Sequence, residues 1–416
     1  MSGPNITMLV TLTGRDRPGV TSRLFSLLSR HDLSVQDVEQ VVIRGKLVLG
    51  ALLSCGTAPD LTAIHREVTS VAADLGLDAE ITMGSGEPPR RRGSLHVTVL
   101  GSPLEPSDIA AIAGHIAAAG ANIDRIGRLA HGRVTCIEFE ISGADPAALR
   151  SALARESAEL GVDVAVQRGG LHRRAMRLVV MDVDSTLLQD EAIDLLAARA
   201  GKGAEVTALT AAAMRGELDF TESLRQRVAL LAGLDATAIG QVLPTLRLAP
   251  GARTLIRTLR RLGYRCAAVS GGFTQVTDWL AAELGLDYTA ANSLEVVGGV
   301  LTGNVTGPVI DRAGKERALR SFAGRAGIPL SQAVAVGDGA NDLDMIAAAG
   351  LGIAFNAKPA VRNAADTSVS VPQLDAILYL LGISRDEVEA AEAEDEELAT
   401  MTSSAQDTAG EPARAS

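Results

Sequence analysis

Leu178-Val179-Val180-Met181-Asp182-Val183-Asp184-Ser185-Thr186 is the stretch on which the reading of this chain turns. Four consecutive apolar residues that run into two carboxylates and two hydroxyls describe a strand buried on both faces, with an end that does not belong to the core. Such a strand delivers its polar end to the carboxyl edge of a parallel sheet, where open α/β sheets hold ligands. Two Asp and two hydroxyls suit a hard cation and a nucleophile, because Mg²⁺ takes oxygen ligands and phosphoryl transfer needs a metal-neutralised carboxylate. Taken alone, residues 182–186 are also compatible with a calcium loop or a solvated turn.

Three further apolar runs repeat the pattern. Cys266-Ala267-Ala268-Val269 leads into Ser270-Gly271-Gly272, Ala333-Val334-Ala335-Val336 into Gly337-Asp338-Gly339-Ala340-Asn341-Asp342, and Leu351-Gly352-Ile353-Ala354-Phe355 into Asn356-Ala357-Lys358. Helical segments at Ala252 to Leu262, Lys315 to Ala326 and Asp342 to Ala349 separate them, and this alternation specifies a parallel sheet covered on both faces. Each polar cluster has a use at that edge. Ser270 and the amides of Gly271 and Gly272 can donate to phosphate oxygens. Lys315 adds a point charge, Asp338 and Asp342 offer oxygen ligands or support for Mg²⁺, and Asn341 can donate to phosphate or hold the metal ligands. An ordinary turn explains Gly337 and Gly339 but not the acidic and amide groups around them.

Taken in order, Asp182 to Thr186, Ser270, Lys315 and Gly337 to Asp342 match the four motifs of the haloacid dehalogenase superfamily of phosphotransferases, which residues 176–383 resemble. Within it the chain looks closest to the phosphoserine phosphatases. Glu191, Met214, Phe220 and Arg227 lie in an insert of about residues 190–250, where those enzymes carry a substrate-reading cap. The resemblance implies an α/β fold, with a Rossmann-like parallel-sheet core and a helical cap insert. It also implies Mg²⁺-dependent hydrolysis of O-phospho-L-serine, the last step of serine biosynthesis, through an aspartyl-phosphate on Asp182.

The same resemblance places Mg²⁺ on Asp182, the Asp184 backbone carbonyl and Asp338, with Asp342 behind them, and makes Asp184 the general acid and base. Glu191 would pair the substrate ammonium and Arg227 its carboxylate. Met214 and Phe220 would form an apolar lid, while Ser270, Gly271, Gly272, Lys315 and Asn341 would receive the phosphate. By composition alone, Arg227 also reads as a solvated-face charge, and Met214 and Phe220 as helix core. No histidine follows His172, which removes the commonest alternative acid or base from this half. Three alternatives stay open: another small phosphate ester, phosphoryl transfer to a second alcohol, and a serine-sensing protein with vestigial chemistry.

Ahead of this half one unit is written twice. Met8 to Gly14 and Leu95 to Gly101 read as the same strand, and helical patterns follow with Val20, Leu24, Leu27 and Leu28 or Ile109, Ile112, Ala113 and Ile116 on one face. Leu33 to Val38 parallels Ala121 to Ile126. Strands around Val48 and Ile137, helices at Leu61 to Leu75 and Pro146 to Leu160, and final strands at Ala79 to Ile81 and Val162 to Val166 complete two β-α-β-β-α-β units, a ferredoxin-like arrangement. These units, residues 5–84 and 94–168, resemble a tandem pair of ACT domains. The resemblance implies regulation by serine or another amino acid and pairing of chains into a homodimer or larger assembly. Its most specific piece is Gly14-Arg15-Asp16-Arg17-Pro18-Gly19; the second copy, Gly101-Ser102-Pro103-Leu104-Glu105-Pro106, departs from it, and a dimerisation platform without ligand stays open for both.

Gly84 to Gly93 reads as a linker whose three arginines are solvated, and residues 384–416 as an acidic tail, expected to be disordered beyond an extension of the last helix. Aromatic residues make up 2% of the chain and the net charge is -11, which argues against base-stacking surfaces and nucleic-acid partners. Cys55, Cys136 and Cys266 fall in no metal or redox spacing and are expected to be reduced, buried thiols. No apolar run approaches the ~20 residues of a membrane span, so a soluble, cytoplasmic protein without a membrane partner is expected.

Overall fold

The computed structural model describes residues 6–55, 60–85, 94–170, 173, 175–214 and 217–395. Two compact units divide the chain, residues 1–91 and 92–416. In the first, β1 (Ile6–Arg15), β2 (Leu33–Ile43), β3 (Lys46–Cys55) and β4 (Leu77–Ser85) form an antiparallel sheet in the order β2-β3-β1-β4, with α1 (Val20–Leu28) and α2 (Leu61–Leu75) packed on it. Strand alternation turns Met8, Val10 and Leu12 inward, where they meet Val20, Leu24, Leu27 and Leu28 of α1. Gly14 has φ +155°, and a Cβ there would lie 2.5 Å from Leu77 Cδ2, so the turn after β1 needs glycine.

The second unit opens with the repeat: β5 (Leu95–Gly101), α3 (Pro106–Ala118), β6 (Asn122–Ala130), β7 (Thr135–Ser142), α4 (Pro146–Leu160) and β8 (Asp163–Arg168), in the sheet order β6-β7-β5-β8. Both repeats are therefore the β-α-β-β-α-β units that the sequence describes. A seven-stranded sheet follows, made of β9 (Leu178–Asp182), β10 (Arg265–Phe273), β11 (Tyr288–Val297), β12 (Val300–Thr306), β13 (Ala333–Gly337), β14 (Leu351–Phe355) and β15 (Thr367–Val369). Its order is β12-β11-β10-β9-β13-β14-β15, parallel except for β12. β9 is thus central, and every residue in it is buried.

Helices Ala192–Arg199, Gly203–Met214, Phe220–Ala229 and Thr237–Val242 form a cap inserted between β9 and the helix Ala252–Arg261. The chain leaves and returns through two short antiparallel legs. Gln189 N donates to Arg247 O (2.9 Å) and Ala249 N to Leu187 O (2.9 Å), and Arg247 clasps Asp190 through Nε (3.1 Å) and Nη2 (2.7 Å). Those legs join the cap to the sheet.

The second repeat is fastened to the catalytic sheet by buried polar contacts. Asp163 on β8 accepts from Ser368 Oγ (2.7 Å), Ser370 N (2.6 Å) and Ser370 Oγ (2.9 Å), while Gln167 Nε2 donates to Leu380 O (2.9 Å). Arg173 bridges Glu138 and the Leu380 carbonyl. Burial alone would raise the Glu138 carboxyl, but hydrogen bonds from His96 and Arg173 outweigh it and hold it at about 2.

The acidic segment from residue 384 starts with a helix over 385–395, in which Val388 is buried in the catalytic core and Glu392, Glu394 and Asp395 pair with Arg257 and Arg261. Residues 396–416 lie outside the described residues, as do residues 86–93 of the linker. Of the three free cysteines, Cys136 and Cys266 are buried, but Cys55, at the end of β3, is only half-buried. Among the described residues, no helix is long and apolar enough to cross a membrane.

Candidate active site

The carboxyl ends of β9, β10 and β13 meet at one place. Asp182, the last residue of β9, is 4% exposed and accepts from Lys315 Nζ at 2.5 Å. Lys315 sits in the first turn of the helix Arg312–Ala326, which Asp311 caps by accepting from Gly314 N. The ammonium, 1% exposed, also donates to Asp342 Oδ1 at 2.7 Å. Asp342 is fully buried, and its other oxygen takes Gly339 N at 3.0 Å. A Cβ at Gly337 would collide with the Asp342 carboxylate and one at Gly339 with Asn341 Oδ1, so the glycines of this loop leave room for the side chains that line it.

Asp182, Asp338 and Asp342 bring carboxylate oxygens within 4.8 Å of one another, close enough to hold a metal cation. Both Asp342 oxygens are already engaged, which leaves Asp182 and Asp338 as the freer ligands. Burial and the Asp342 carboxylate push Asp182 well above the usual carboxylate range in spite of Lys315, and the same causes bring Asp338 to about 6. The cluster is thus short of positive charge, as a cation site is before its ion binds.

Asp184, two residues past Asp182, is turned toward β10. Its Oδ2 accepts from Ser270 Oγ at 3.1 Å, and Ser270 Oγ accepts from Gly272 N at 2.7 Å. Burial raises the Asp184 carboxyl, and the Ser270 hydrogen bond works against that shift. Ser185 takes φ +62° and turns the chain back, while Thr186 is fully buried with no hydrogen-bond partner for Oγ1 among the described residues.

Above this edge, Glu191 precedes the first residue of one cap helix without a capping hydrogen bond from its side chain, and Arg227 lies in the last turn of another. Arg227 Nη1 lies 3.7 Å from Glu191 Oε2 and donates to Thr210 Oγ1 at 3.4 Å. Burial, then the Asp184 and Asp194 charges, lift Glu191 to about 7. Phe220 rests on Gly271, where a Cβ would lie 2.5 Å from Phe220 Cζ. The structure thus gathers Asp182, Asp184, Ser270, Gly271, Gly272, Lys315, Asp338 and Asp342 at the sheet edge and sets Phe220 against it, with the Glu191 and Arg227 pair in the cap; Asn341 folds over Gly339 in the same loop. The side chain of Met214 lies outside the described residues.

Sequence reasoning missed Asn292. It is 1% exposed on β11, donates to Gly271 O (2.8 Å) and accepts from Ile310 N (2.8 Å), and so fixes the Gly271 peptide. A lone amide in Tyr288 to Val297, a run of alternating burial, was the available sign.

The haloacid dehalogenase-like hydrolase family matches residues 179–347, and two ACT domain families match residues 6–82 and 94–167. The chain is 60% identical to the phosphoserine phosphatase of Streptomyces coelicolor over 390 residues, which are 93% of this chain and 94% of that protein. It is 53% identical to the phosphoserine phosphatase SerB2 of Mycobacterium tuberculosis over 394 residues, 94% of this chain and 96% of that one. Among solved structures, a probable phosphoserine phosphatase from Vibrio cholerae in its unliganded form is 35% identical with a TM-score of 0.55, covering 72% of this chain and 88% of that chain. With such identity along nearly its whole length, the chain belongs to the phosphoserine phosphatase family, a haloacid dehalogenase-like hydrolase preceded by two ACT domains.

Proposed function

We propose that this chain hydrolyses O-phospho-L-serine to L-serine and phosphate, as the last step of serine biosynthesis. The observation that carries the substrate is the Glu191 and Arg227 pair, an acid and a guanidinium held 3.7 Å apart in the cap beside Asp184. A phosphoserine whose phosphate lies at Ser270 and Lys315 offers an ammonium to the first and a carboxylate to the second. Phe220, set against Gly271, is the apolar part of that lid.

In the first half-reaction an Asp182 oxygen attacks phosphorus and the bond from phosphorus to the serine oxygen breaks. Asp184, whose carboxyl burial raises, gives its proton to that oxygen. In the second, Asp184 takes a proton from water as the water attacks the aspartyl-phosphate, releasing phosphate and restoring Asp182. Lys315, Ser270, Asn341 and the Gly271 and Gly272 amides receive the charge on the phosphoryl oxygens. Asp182 and Asp338, with the Asp184 backbone carbonyl, would hold Mg²⁺, which when bound supplies the missing positive charge, and Asp342 supports Asp338 and Lys315.

The test compares phosphate release from phosphoserine, phosphothreonine and glucose 6-phosphate, with Mg²⁺ and after chelation. Phosphoserine should be preferred in kcat/KM, and chelation should abolish turnover until Mg²⁺ is restored. Equal use of the sugar phosphate, or transfer to an added alcohol in place of water, overturns the reading. A pH dependence follows as well. Glu191 must be charged to meet the ammonium, and its carboxyl lies raised at about 7 in the free site, so KM should climb as pH falls below that value. Glu191→Gln should raise KM and flatten this limb; an unchanged pH profile in that variant would remove Glu191 from the substrate site. By the same reading the ACT domains bind serine or another amino acid and pair chains into a homodimer or larger assembly in the cytoplasm. Constant activity and constant assembly size across a serine titration would remove that part.

A further inference from the structure

The ladder between β11 and β12 is interrupted partway along. Leu294 pairs with Val305 and Val296 with Leu301, so the single residue Glu295 faces Thr302, Gly303 and Asn304. A bulge of this kind bends a strand and re-aims what it carries. The Glu295 carboxylate closes it, accepting from Thr302 Oγ1 at 2.6 Å and from Asn304 Nδ2 at 3.1 Å. Gly303, at the crest, is buried and has φ +86°, a conformation that residues with a Cβ rarely adopt.

The crest faces the end of the cap helix Phe220–Ala229, which bears both Phe220 and Arg227. A Cβ on Gly303 would lie 3.2 Å from Ala229 Cα, 3.2 Å from Ala229 O and 2.9 Å from Ala232 Cβ. The first two are main-chain atoms and have no rotamer to turn aside. Immediately beyond, the cap adds itself to the outer edge of β12. Gly233 N donates to Leu301 O, Leu301 N to Leu234 O and Ala236 N to Gly299 O, each at 2.9 Å. Those bonds fix where the helix ends, and the missing Cβ fixes how close it comes.

The other strand of the hairpin reaches the phosphate end of the site, because Asn292 on β11 holds the Gly271 peptide. One hairpin thus supports both the amide loop that would take the phosphate and the helix that would take the carboxylate. We infer that Gly303 is a positioning residue for substrate selection: it sets the depth of the cap helix and thereby the place of Arg227, two residues before Ala229. This rests on the phosphoserine reading above. Arg227 lies 3.7 Å from Glu191, so a helix displaced by a few tenths of an ångström disturbs the pair that would read the ammonium and carboxylate. Asp182 is held apart from that disturbance, since β9 lies three places from β12 in the sheet.

The test sets Gly303→Ala beside Gly299→Ala in the full chain. Gly299 lies on the same hairpin with φ +83°, but a Cβ there meets nothing within 4 Å, so its variant carries the backbone strain without the contact. Steady-state constants are measured for phosphoserine and for phenyl phosphate, which has neither ammonium nor carboxylate, with L-serine as an inhibitor of the second. Gly303→Ala should raise KM for phosphoserine and the inhibition constant of L-serine about tenfold, the loss when one charge-assisted hydrogen bond is spoiled. Its kcat/KM for phenyl phosphate should stay at the parent level, and Gly299→Ala should match the parent throughout. Adding Ala232→Gly to Gly303→Ala removes the nearest side-chain atom and should return part of the loss. Asn304 is exposed, so Asn304→Ala keeps the fold even if Gly303→Ala does not. It loosens the same bulge and should raise KM for phosphoserine about threefold, as for one ordinary hydrogen bond. An unchanged KM for phosphoserine in Gly303→Ala and Asn304→Ala, an equal loss with phenyl phosphate, or the same loss in Gly299→Ala overturns the inference. A parent that uses phenyl phosphate as readily as phosphoserine overturns the substrate reading and this inference with it. A preference for phosphoserine that survives intact in Gly303→Ala overturns this inference alone.

Discussion

Asp182→Asn is expected to reduce phosphate release from phosphoserine by on the order of 10⁴-fold or more, the scale on which enzymes lose rate when their nucleophile is removed. An amide has no anionic oxygen to bond to phosphorus and is a poorer ligand for a cation. The same change should not harm the fold. Asp182 is buried among Asp184, Asp338 and Asp342 with one ammonium between them, and burial and Asp342 push its carboxyl well up. A carboxyl raised in the folded state stabilises the fold while protonated, and loses that contribution as pH rises through the folded value. Replacing it with a neutral isostere removes the penalty, and Lys315 keeps Asp342 at 2.7 Å. Thermal unfolding at neutral pH should therefore show a variant at least as stable as the parent, with an advantage that grows with pH. Activity lost while stability is gained marks a residue kept for chemistry. Near-normal turnover would sink the nucleophile assignment.

What the sequence made legible was whatever local pattern determines. Apolar runs ending in polar clusters located β9, β10, β13 and β14 to within a few residues, because fully buried parallel strands write themselves as continuous hydrophobic stretches. The hairpin of β11 and β12 and the three-residue β15 escaped for the opposite reason. At the sheet edges burial is partial or the strand is too short for periodicity, and Asn292 was lost with β11. Arg227 shows a second limit. Arg225, on the same helix, is exposed, and nothing local distinguishes it from Arg227; only the folded cap places one of them against Glu191. The docking of the helix 385–395 is a long-range effect, since its acidic residues become a docked face through Arg257 and Arg261, more than a hundred residues earlier. Asp163, Gln167 and Arg173 are ordinary polar residues until β8 is laid beside β15.

Lys315→Met should be the costliest single change in the catalytic domain, because it strikes chemistry and fold together. The ammonium is the cation that both Asp182 and Asp342 hydrogen-bond, and all three are at least nine-tenths buried. Burial disfavours its charge, yet the two carboxylates outweigh that and hold it above the ordinary lysine range. Removing one partner from a buried ion pair typically costs about 3–5 kcal/mol, since the partner left behind has lost its countercharge inside the protein. Methionine fills the aliphatic space of the stem, so the loss measured is electrostatic and not a cavity. Without the ammonium, Asp182 moves further up, and the variant's deficit relative to the parent widens as pH rises through that value. A divalent cation brings positive charge to the same carboxylates, so added Mg²⁺ should raise the midpoint of unfolding more in the variant than in the parent. Turnover should stay low even then, by about 10²–10³-fold, because a preorganised charge on the phosphoryl oxygens is gone. Calorimetric unfolding across pH with and without Mg²⁺, beside kcat, separates the two losses. A variant with the parent's stability at every pH would mean that Lys315 is not the counterion of this cluster, and one with the parent's kcat would take it out of the reaction.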